Sequence, residues 1–494
     1  MYGEEKSDSL IVAAKQANNP KGAESVERRS GAKGNAEQPH MRRTQSRESM
    51  SQRLSRVREA AKQRKKERFT ALFHLLTAEA LENAFLSLSR KAAAGVDGVR
   101  WKDYAENLKV NIADLHRRLH QGSYRAQPGR RHYIPKADGK QRPLGIASLE
   151  DKIVQYALVK ILNAVYENDF MGFSYGFRPG RSQHNALDAL ATGLVRTNVN
   201  WVLDADISQF FDKVSHEWLI RFIEHRIGDQ RVIRLIRKWL TAGTSEEGEW
   251  RASEECTPQG AVISPLLANI YLHYVFDLWA HQWRRRHATG NVVMVRYADD
   301  IVIGFDKRID AQCFRIAMQR RLKEFGLTVH PKKTRLTEFG RFAAENRASR
   351  GKGKPETFNF LGFTHMSGKD RSGRFMLIRK TRRDRMTATL KAIKDGLRKR
   401  WHYSIPEQGK WLRRVVQGYL NYHSVPGNYP MMRKFRIYVT DLWRRALRRR
   451  SQQDDTTWTK ANRLAAVWLP KVRVLHPWPV ERFTARHPRQ EPGA

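Results

Sequence analysis

The chain is poor in cysteine and has no long apolar run, and each shortage excludes a class of protein. The two cysteines, Cys256 and Cys313, stand far apart in 494 residues, which excludes a disulfide framework and any zinc site built from several cysteines. No apolar stretch approaches the ~20 residues of a membrane-spanning helix. The first residues lack the basic and apolar segments of a signal peptide. We therefore expect a cytoplasmic protein with no membrane partner.

Acidic residues are also scarce relative to basic ones. The sequence holds 50 Asp and Glu against 92 Lys and Arg, which gives a formal net charge of +42. Such an excess opposes a compact fold through self-repulsion unless a polyanion neutralises it. Nucleic acid is the first candidate for that polyanion, and an anionic membrane surface is the second.

Composition divides the chain into segments. Residues 1–55 have few large apolar residues, so we expect them to be disordered. From residue 56 to about 370, strand and helix patterns mix without regular alternation, which predicts an α+β fold. From 379 to 450 a helical pattern carries 21 Lys or Arg against 4 Asp or Glu, interleaved with aromatic residues. A basic helical segment of this kind suits RNA.

Two adjacent carboxylates, Asp299 and Asp300, interrupt a strand pattern at residues 292–305. Apolar residues alternate on both sides of them, which is the period of strands, and the short polar break predicts a hairpin turn. Acids at the tip of a packed hairpin would hold negative charge at a fixed point, which suits a divalent cation. Aspartate is also common in ordinary turns, so this segment alone leaves both interpretations open.

A second apolar strand, at residues 201–207, also carries carboxylates, Asp204 and Asp206. The separation of 93 residues between Asp206 and Asp299 leaves room for helices that would bring this strand beside the hairpin. Carboxylates from neighbouring strands can hold two Mg²⁺ ions, activate a hydroxyl nucleophile and stabilise a leaving phosphate. A strand-end cap or an ion pair would explain either aspartate alone, but the two acid sites together favour metal chemistry.

These residues resemble the catalytic motifs of reverse transcriptases. The Tyr-Ala-Asp-Asp run that ends at Asp300 is similar to the family's Tyr-x-Asp-Asp box, and residues 206–212 are similar to its first catalytic motif. The family places an aromatic gate over the sugar five residues after the metal-binding aspartate, and Phe211 has that spacing from Asp206. The resemblance therefore implies that Asp206, Asp299 and Asp300 are the catalytic, metal-binding residues. It makes Asp204 structural and gives Phe211 the exclusion of a ribose 2′-hydroxyl.

Further motifs follow in the order of the family. Residues 134–144 resemble the fingers hairpin, whose cations, here Lys136 and Arg142, would bind the triphosphate of a deoxynucleotide. A Thr-Pro-Gln-Gly run resembles the motif beside the nucleotide pocket and assigns Gln259 and Gly260 to nucleotide binding.

The last palm motifs are present as well. A Phe-Leu-Gly-Phe run is similar to the grip on the 3′ end of the primer and assigns Leu361 and Gly362 to that grip. The neighbouring lysines Lys332 and Lys333 fall in another palm motif, without an assigned role.

The resemblance narrows to bacterial group II intron-encoded proteins. Residues 94–99 and 174–182 look like theirs, and residues 416–422 resemble the maturase, or X, domain. Because no cysteine follows Ser451, we expect no endonuclease domain. The implied domains are a disordered segment (1–55), reverse transcriptase fingers and palm with an N-terminal extension (56–370), a helical thumb or maturase X domain (371–450) and a small tail with a candidate nucleic-acid contact (451–494).

The resemblance implies an RNA-directed DNA polymerase that copies intron RNA into DNA during retrohoming and binds that RNA to assist splicing. Its cofactors would be two Mg²⁺ ions, its substrates deoxynucleotides, and its partners the group II intron RNA and a target DNA or primer. Two alternatives stay open, which are a non-enzymatic maturase and a domesticated reverse transcriptase in phage defence. The oligomeric state is also open.

Overall fold

The computed structural model describes residues 49–135, 141–246, 249–251, 260–450 and 456–486. The described residues fall into two compact units. The first unit comprises residues 49–170 and 211–271, and the second comprises residues 171–210 and 272–486. Two site residues predicted from the sequence, Lys136 and Gln259, lie outside the described residues, as does most of the segment predicted to be disordered.

Helices are the main element of both units, and their bounds follow in chain order. They are α1 (Met50–Gln63), α2 (Ala78–Ser87), α3 (Trp101–Glu106), α4 (Leu108–Gln121), α5 (Leu149–Tyr166), α6 (Gln183–Arg196), α7 (His216–Glu224), α8 (Gln230–Thr241), α9 (Ser264–Leu272), α10 (Leu278–Arg286), α11 (Arg308–Glu324), α12 (Ala343–Ala348), α13 (Arg383–Arg398), α14 (Ile405–His423), α15 (Tyr429–Arg448), α16 (Trp458–Trp468) and α17 (Pro479–Arg486). None of these helices combines the length and the apolar character needed to cross a membrane.

Strands complete the fold. They are β1 (Gly129–Pro135), β2 (Gln141–Ile146), β3 (Trp201–Asp206), β4 (Thr244–Glu246), β5 (Glu249–Arg251), β6 (Val292–Tyr297), β7 (Asp300–Phe305), β8 (Arg335–Glu338), β9 (Phe358–Phe360), β10 (Phe363–Lys369) and β11 (Phe375–Thr381). Helices and sheets are therefore mixed, as the α+β prediction requires.

The first helix of the described residues begins within the segment expected to be disordered. Helix α1 starts at Met50, inside the segment that composition predicts to be disordered up to residue 55. The reason is local, because Ser49 and Gln52 form a capping box that satisfies donors at the start of the helix. That part of the disorder prediction is wrong.

Helix α5 is the centre of the first unit. Its side chains are buried on nearly all sides, which is the pattern of a helix enclosed by others, and α1 and α2 pack against it. A sheet with the order β2-β1-β4-β5 lies in the same unit. Its β1–β2 pair is antiparallel and places Arg142 opposite Ile134.

The second unit is built on an antiparallel sheet with the order β6-β7-β3-β8. Alternation along the strands gives this sheet two apolar faces. One face carries Val202, Val293 and Val302 and packs into a buried cluster with side chains of α6. Helix α11 contacts β3 and β7. Strands with both faces covered hold their ends rigidly, which matters because the acidic residues lie at those ends.

A second sheet and a group of helices complete this unit. The sheet has the order β11-β10-β9, and Phe358, Phe360 and Phe363 join the same buried cluster as β6 and β7. Helices α13, α14 and α15 form a separate core around Trp443 and Phe435. Helices follow as predicted, but the predicted start after residue 378 is wrong, because strand β11 continues to Thr381 and the first of these helices begins at Arg383.

The sequence also predicts short strands near residues 328–329 and at residues 358–363, and both positions need correction. Residues near Thr328 form only a bridge between Ile207 and Val329, and the edge strand β8 lies further along the chain. The sequence pattern also gave one strand ending at residue 363, whereas β9 turns there into the longer hairpin β10–β11. These strands are short or rich in polar residues, so that their pairing partners, rather than their own periodicity, determine them.

Candidate active site

The hairpin predicted from the sequence is present, and its turn is tight. Strands β6 and β7 pair antiparallel with Tyr297 opposite Asp300, so that only Ala298 and Asp299 form the loop. Ala298 has a φ of 57°, and a positive φ at the first position is the pattern of a type II′ turn, which usually has glycine there. A side chain in this conformation costs about 1 kcal/mol, so the surrounding structure has to hold the turn.

Strand β3 brings the third aspartate to the hairpin. In the antiparallel β3–β7 pair, Asp206 lies directly opposite Asp300. Residues paired in this way point to the same face, with their Cβ atoms about 5 Å apart. Asp299 is the adjoining turn residue, so the structure brings the three predicted carboxylates to one end of one sheet.

Asp204 lies on the same face, one strand period from Asp206, and is opposite Val302 in β7 and Arg335 in β8. Desolvation by burial, together with the charges of Asp300 and Asp206, raises the pKa of Asp204 to about 7. The motif spacing gives Asp204 no metal-binding role, but the charges of Asp206 and Asp300 act on its carboxylate. We define the acidic cluster as Asp204, Asp206, Asp299 and Asp300.

Repulsion between carboxylates also affects the hairpin residues. Desolvation and the negative charges of Asp299 and Asp206 together raise the pKa of Asp300 to about 6, against the opposing effect of Lys333. The Asp300 side chain keeps an exposed surface although protein surrounds much of its carboxylate. A cation bound at this point would relieve the repulsion.

Lys333 already supplies one cation. Its Nζ donates to Oδ2 of Asp206 at 2.8 Å, and the lysine side chain is 62% exposed against 19% for the aspartate. The hydrogen bond with Asp206 raises the pKa of Lys333 above its ordinary value. Sequence reasoning placed Lys333 in a motif but missed this role, since a contact over 127 residues leaves no local signal.

The donor set fits a hard divalent ion. Carboxylate oxygens are the ligands that Mg²⁺ prefers. The positively charged ammonium group of Lys333 already contacts one of these oxygens, Oδ2 of Asp206. In the described part of the chain, no three acidic, histidine or cysteine side chains already converge on one point suited to an ion.

The residues predicted to grip the primer form a second tight turn in the same unit. Leu361 and Gly362 connect β9 to β10 and have φ values of 44° and 80°, the pattern of a type I′ turn. The Tyr422 hydroxyl donates to the Leu361 carbonyl at 2.7 Å, and the Arg382 amide donates to the Gly362 carbonyl at 3.1 Å. The turn is therefore held in a defined conformation.

The described residues predicted to bind the nucleotide belong to the first unit. Arg142 lies in β2, and Phe211 lies in a short 3₁₀ turn, Phe210–Asp212. Gly260 has a φ of 112°, and a Cβ there would lie 3.0 Å from the Gly145 carbonyl oxygen. Both facts favour glycine at this position.

Comparison with known proteins agrees with the site. The reverse transcriptase (RNA-dependent DNA polymerase) family profile matches residues 134–365. That range includes the acidic cluster and both tight turns. The fold of this region is therefore that of a reverse transcriptase domain, with mixed helices and sheets.

Similar curated proteins point to introns. The chain is 43% identical to Protein YkfC of Escherichia coli K12 over 206 residues, which are 41% of this chain and 54% of YkfC. It is 37% identical to the group II intron-encoded protein LtrA of Lactococcus lactis over 223 residues, which are 44% of this chain and 37% of LtrA. It is 26% identical to the putative COX1/OXI3 intron 1 protein of Saccharomyces cerevisiae over 393 residues, or 66% of this chain and 46% of that protein.

The chain thus spans about half or less of the length of these relatives. The reverse transcriptase profile and the similarity to LtrA together support a group II intron-encoded reverse transcriptase and maturase.

Proposed function

We propose that this protein is an RNA-directed DNA polymerase that copies group II intron RNA into DNA, with deoxynucleotides as substrates. The observation that carries the proposal is the register of the sheet, which places Asp206 opposite Asp300 and next to the turn residue Asp299. An ordinary turn would not require a second acid strand paired with it, nor leave a carboxylate with a pKa raised to about 6.

Asp206, Asp299 and Asp300 would hold two Mg²⁺ ions, which activate a primer hydroxyl and neutralise a leaving phosphate when bound. The chain's own residues prepare this site. Lys333 balances part of the negative charge, and the closed hairpin turn fixes the direction of the acids. Asp204, with a pKa raised to about 7, would tune the charge of the cluster.

Substrate contacts are assigned from the motif resemblance. Lys136 and Arg142 would bind the triphosphate, because cations on a hairpin neutralise phosphate charge. Phe211 would exclude ribonucleotides by contact with a 2′-hydroxyl. Gln259 and Gly260 would line the nucleotide site, and the turn at Leu361 and Gly362 would hold the primer end.

A second role, binding of intron RNA to assist splicing, is favoured by the surface of α13, α14 and α15. Lys434 lies over the ring of Tyr438, with its Nζ 5.7 Å from the centroid, and three tyrosines, Tyr403, Tyr429 and Tyr438, are exposed. Cations beside exposed aromatic rings suit single-stranded RNA. The exposed cations on these helices and their connections are Arg383, Arg385, Lys391, Lys394, Arg398, Lys399, Lys410, Arg413, Arg414, Arg433, Lys434, Arg445 and Arg448.

These roles correspond to a proposed domain plan. Residues 56–370 would be the fingers and palm with an N-terminal extension, and residues 371–450 the thumb or maturase X domain. Residues 1–55 and 451–494 would flank them, the latter contacting nucleic acid. We also infer a cytosolic setting, from the scarcity of cysteine, and retrohoming into a DNA target.

Primer extension tests the polymerase. The purified chain, with Mg²⁺ and deoxynucleotides, should extend a DNA primer on an RNA template. The double variant Asp299→Ala and Asp300→Ala should lose extension, while Glu324→Gln, an exposed acid in the same unit, should keep it. A folded wild-type chain that does not extend any primer would refute the polymerase.

Splicing of the cognate intron separates the two roles. The Asp299→Ala, Asp300→Ala protein should bind and splice the intron RNA as well as the wild type, because the intron RNA supplies splicing chemistry and the protein supplies basic surface. An equal loss of splicing in the folded double variant would contradict separate roles. Sequencing of RNA that copurifies with the chain would distinguish an intron protein from a phage-defence reverse transcriptase.

A further inference from the structure

A buried arginine lies directly behind the hairpin turn. Arg296, the penultimate residue of β6, is 0% exposed. Because side chains alternate along a strand, Arg296 points to the face opposite that of Tyr297 and its partner Asp300. It therefore does not face the metal site, and any influence on that site has to pass through the backbone.

The partner of Arg296 is an equally buried acid. Nε of Arg296 donates to Oδ1 of Asp277 at 2.7 Å, and Nη2 donates to Oδ2 at 2.6 Å, with both side chains 0% exposed. A two-pronged pair of this kind fixes the plane of the guanidinium. Asp277 ends a π-helical turn, His273–Asp277, between α9 and α10. Such turns insert an extra residue into a helix and often occur at functional sites.

A third nitrogen of Arg296 reaches the turn itself. Nη1 donates to the Ala298 carbonyl at 3.0 Å, and Nη2 also donates to Oγ of Ser174 at 2.7 Å. The Ala298 carbonyl belongs to the peptide group that joins Ala298 to Asp299. The guanidinium thus fixes the orientation of the peptide from which the Asp299 side chain starts.

Residues 173–176 form a neighbouring segment that packs against the turn. The Tyr175 amide donates to the Arg296 carbonyl at 2.8 Å, and the Arg296 amide donates to the Phe173 carbonyl at 2.9 Å. At Gly176 a Cβ would lie only 2.3 Å from the Ala298 nitrogen, so glycine alone permits this approach. The strained turn is enclosed by this segment and by the guanidinium.

We propose that Arg296, Asp277 and Ser174 form a positioning network that presets Asp299 and Asp300 for the metal ions by holding the Ala298–Asp299 peptide. The inference rests on the proposed polymerase function for its purpose, but the network itself is a property of the fold. Arginine suits this role because its planar fork serves three partners at once, whereas the ammonium of lysine is a point charge.

Arg296→Lys keeps the charge beside Asp277 and removes the fork. Groups that orient metal ligands change metal affinity or activity by about 10- to 100-fold, so we expect Mn²⁺ affinity to fall by about 10-fold and kcat to fall with it. The KM for the primer–template should not change, since no substrate contact is lost. Faster amide hydrogen exchange at residues 297–301 should accompany the loss.

Two further variants make the test decisive. Ser174→Ala removes one acceptor without a charge change and should give a smaller effect of the same kind. Arg321→Lys is the matched control, because Arg321 donates to the Val275 carbonyl in the same π-helical turn at 3.1 Å but does not contact the hairpin turn. It should leave Mn²⁺ binding and hairpin exchange unchanged.

The measurements are Mn²⁺ titration followed by electron paramagnetic resonance and hydrogen exchange of the full chain, beside primer extension. If folded Arg296→Lys keeps the Mn²⁺ affinity and the amide hydrogen exchange of the wild type, the proposed network is refuted. If that variant does not fold, the same result in Ser174→Ala would overturn it. A wild type that extends no primer, with exchange still faster in Arg296→Lys, would refute the polymerase and keep the network.

Discussion

Lys333 Nζ lies 2.8 Å from Oδ2 of Asp206, in a salt bridge between an exposed lysine and a largely buried aspartate. The lysine occupies the coordination space that a divalent ion would need at this carboxylate. It also lowers the repulsion within the acidic cluster while no ion is bound. In the proposed metal site, Lys333 would therefore compete with the ion for this oxygen of Asp206.

Removal of this competitor should strengthen metal binding. Exposed pairs contribute up to about 1 kcal/mol, so Lys333→Met should lower the Mn²⁺ concentration at half-saturation by up to about fivefold. Electron paramagnetic resonance of the chain without nucleotide measures this. Lys332→Met removes the same charge from an adjacent exposed residue, and an equal shift in both variants would show that the contact with Asp206 is irrelevant.

The roles of Asp204 and Asp206 can be separated by amide substitutions that preserve shape. Asp206→Asn should lower primer extension by at least about 100-fold, because a metal ligand contributes several kcal/mol of charge stabilisation. Asp204→Asn should lower it by less than about tenfold, since Asp204 only tunes the charge. Steady-state kcat at saturating Mg²⁺ decides the matter, and a larger loss in Asp204→Asn would reverse the assignment.

Metal binding should depend on pH through the acidic cluster. The pKa of Asp300 is raised to about 6 and that of Asp204 to about 7, so protons compete with the ion below these values. The Mg²⁺ concentration that gives half-maximal extension should fall as the pH rises from about 5.5 to 7.5 and then level off. A flat dependence over this range would contradict the predicted competition.

The same pKa shifts predict how the metal-free fold responds to pH. In the unfolded chain these acids ionise near pH 4, whereas in the folded chain they ionise only near pH 6 to 7. The folded state therefore holds more protons between these limits, and its stability should decrease as the pH rises through them. Thermal unfolding measures this, and the decrease near pH 7 should be smaller in Asp204→Asn.

The close approach of Gly176 to the turn should not tolerate a side chain. Gly176→Ala would place a Cβ 2.3 Å from the Ala298 nitrogen, which forces a backbone shift. We expect a loss of about 1–3 kcal/mol in the free energy of unfolding and a larger relative loss of extension. Gly353→Ala is the control, because no atom lies within 4 Å of its new Cβ.

The turn at Leu361 and Gly362 should depend on Tyr422. Tyr422→Phe removes the hydrogen bond to the Leu361 carbonyl, which contributes about 1 kcal/mol. We expect a higher KM for the primer–template and an unchanged Mg²⁺ requirement, measured by primer extension. A changed Mg²⁺ requirement in Tyr422→Phe would argue against a primer role.

Local signals explain what sequence reasoning found. The hairpin around Asp299 follows from apolar residues that alternate on both sides of a two-residue turn, and the strand before Asp206 has the same pattern. The strand register pairs Asp206 with Asp300, while the choice of Asp206 as the metal-binding residue, made from the spacing to Phe211, stays a prediction. The sequence did not predict strands β8, β10 and β11, because their apolar alternation is weak and their pairing partners determine where they form.

The sequence by itself determined which residues carry the acids, the order of the motifs and the basic character of the C-terminal helices, because these properties are local or additive along the chain. Only the tertiary structure determined which charged side chains contact each other. Lys333 meets Asp206 across 127 residues, and Arg296 meets Asp277 with both charges fully buried. Burial and strand register create these pairs, and neither can be read from the residues alone, since each depends on what the rest of the chain places beside them.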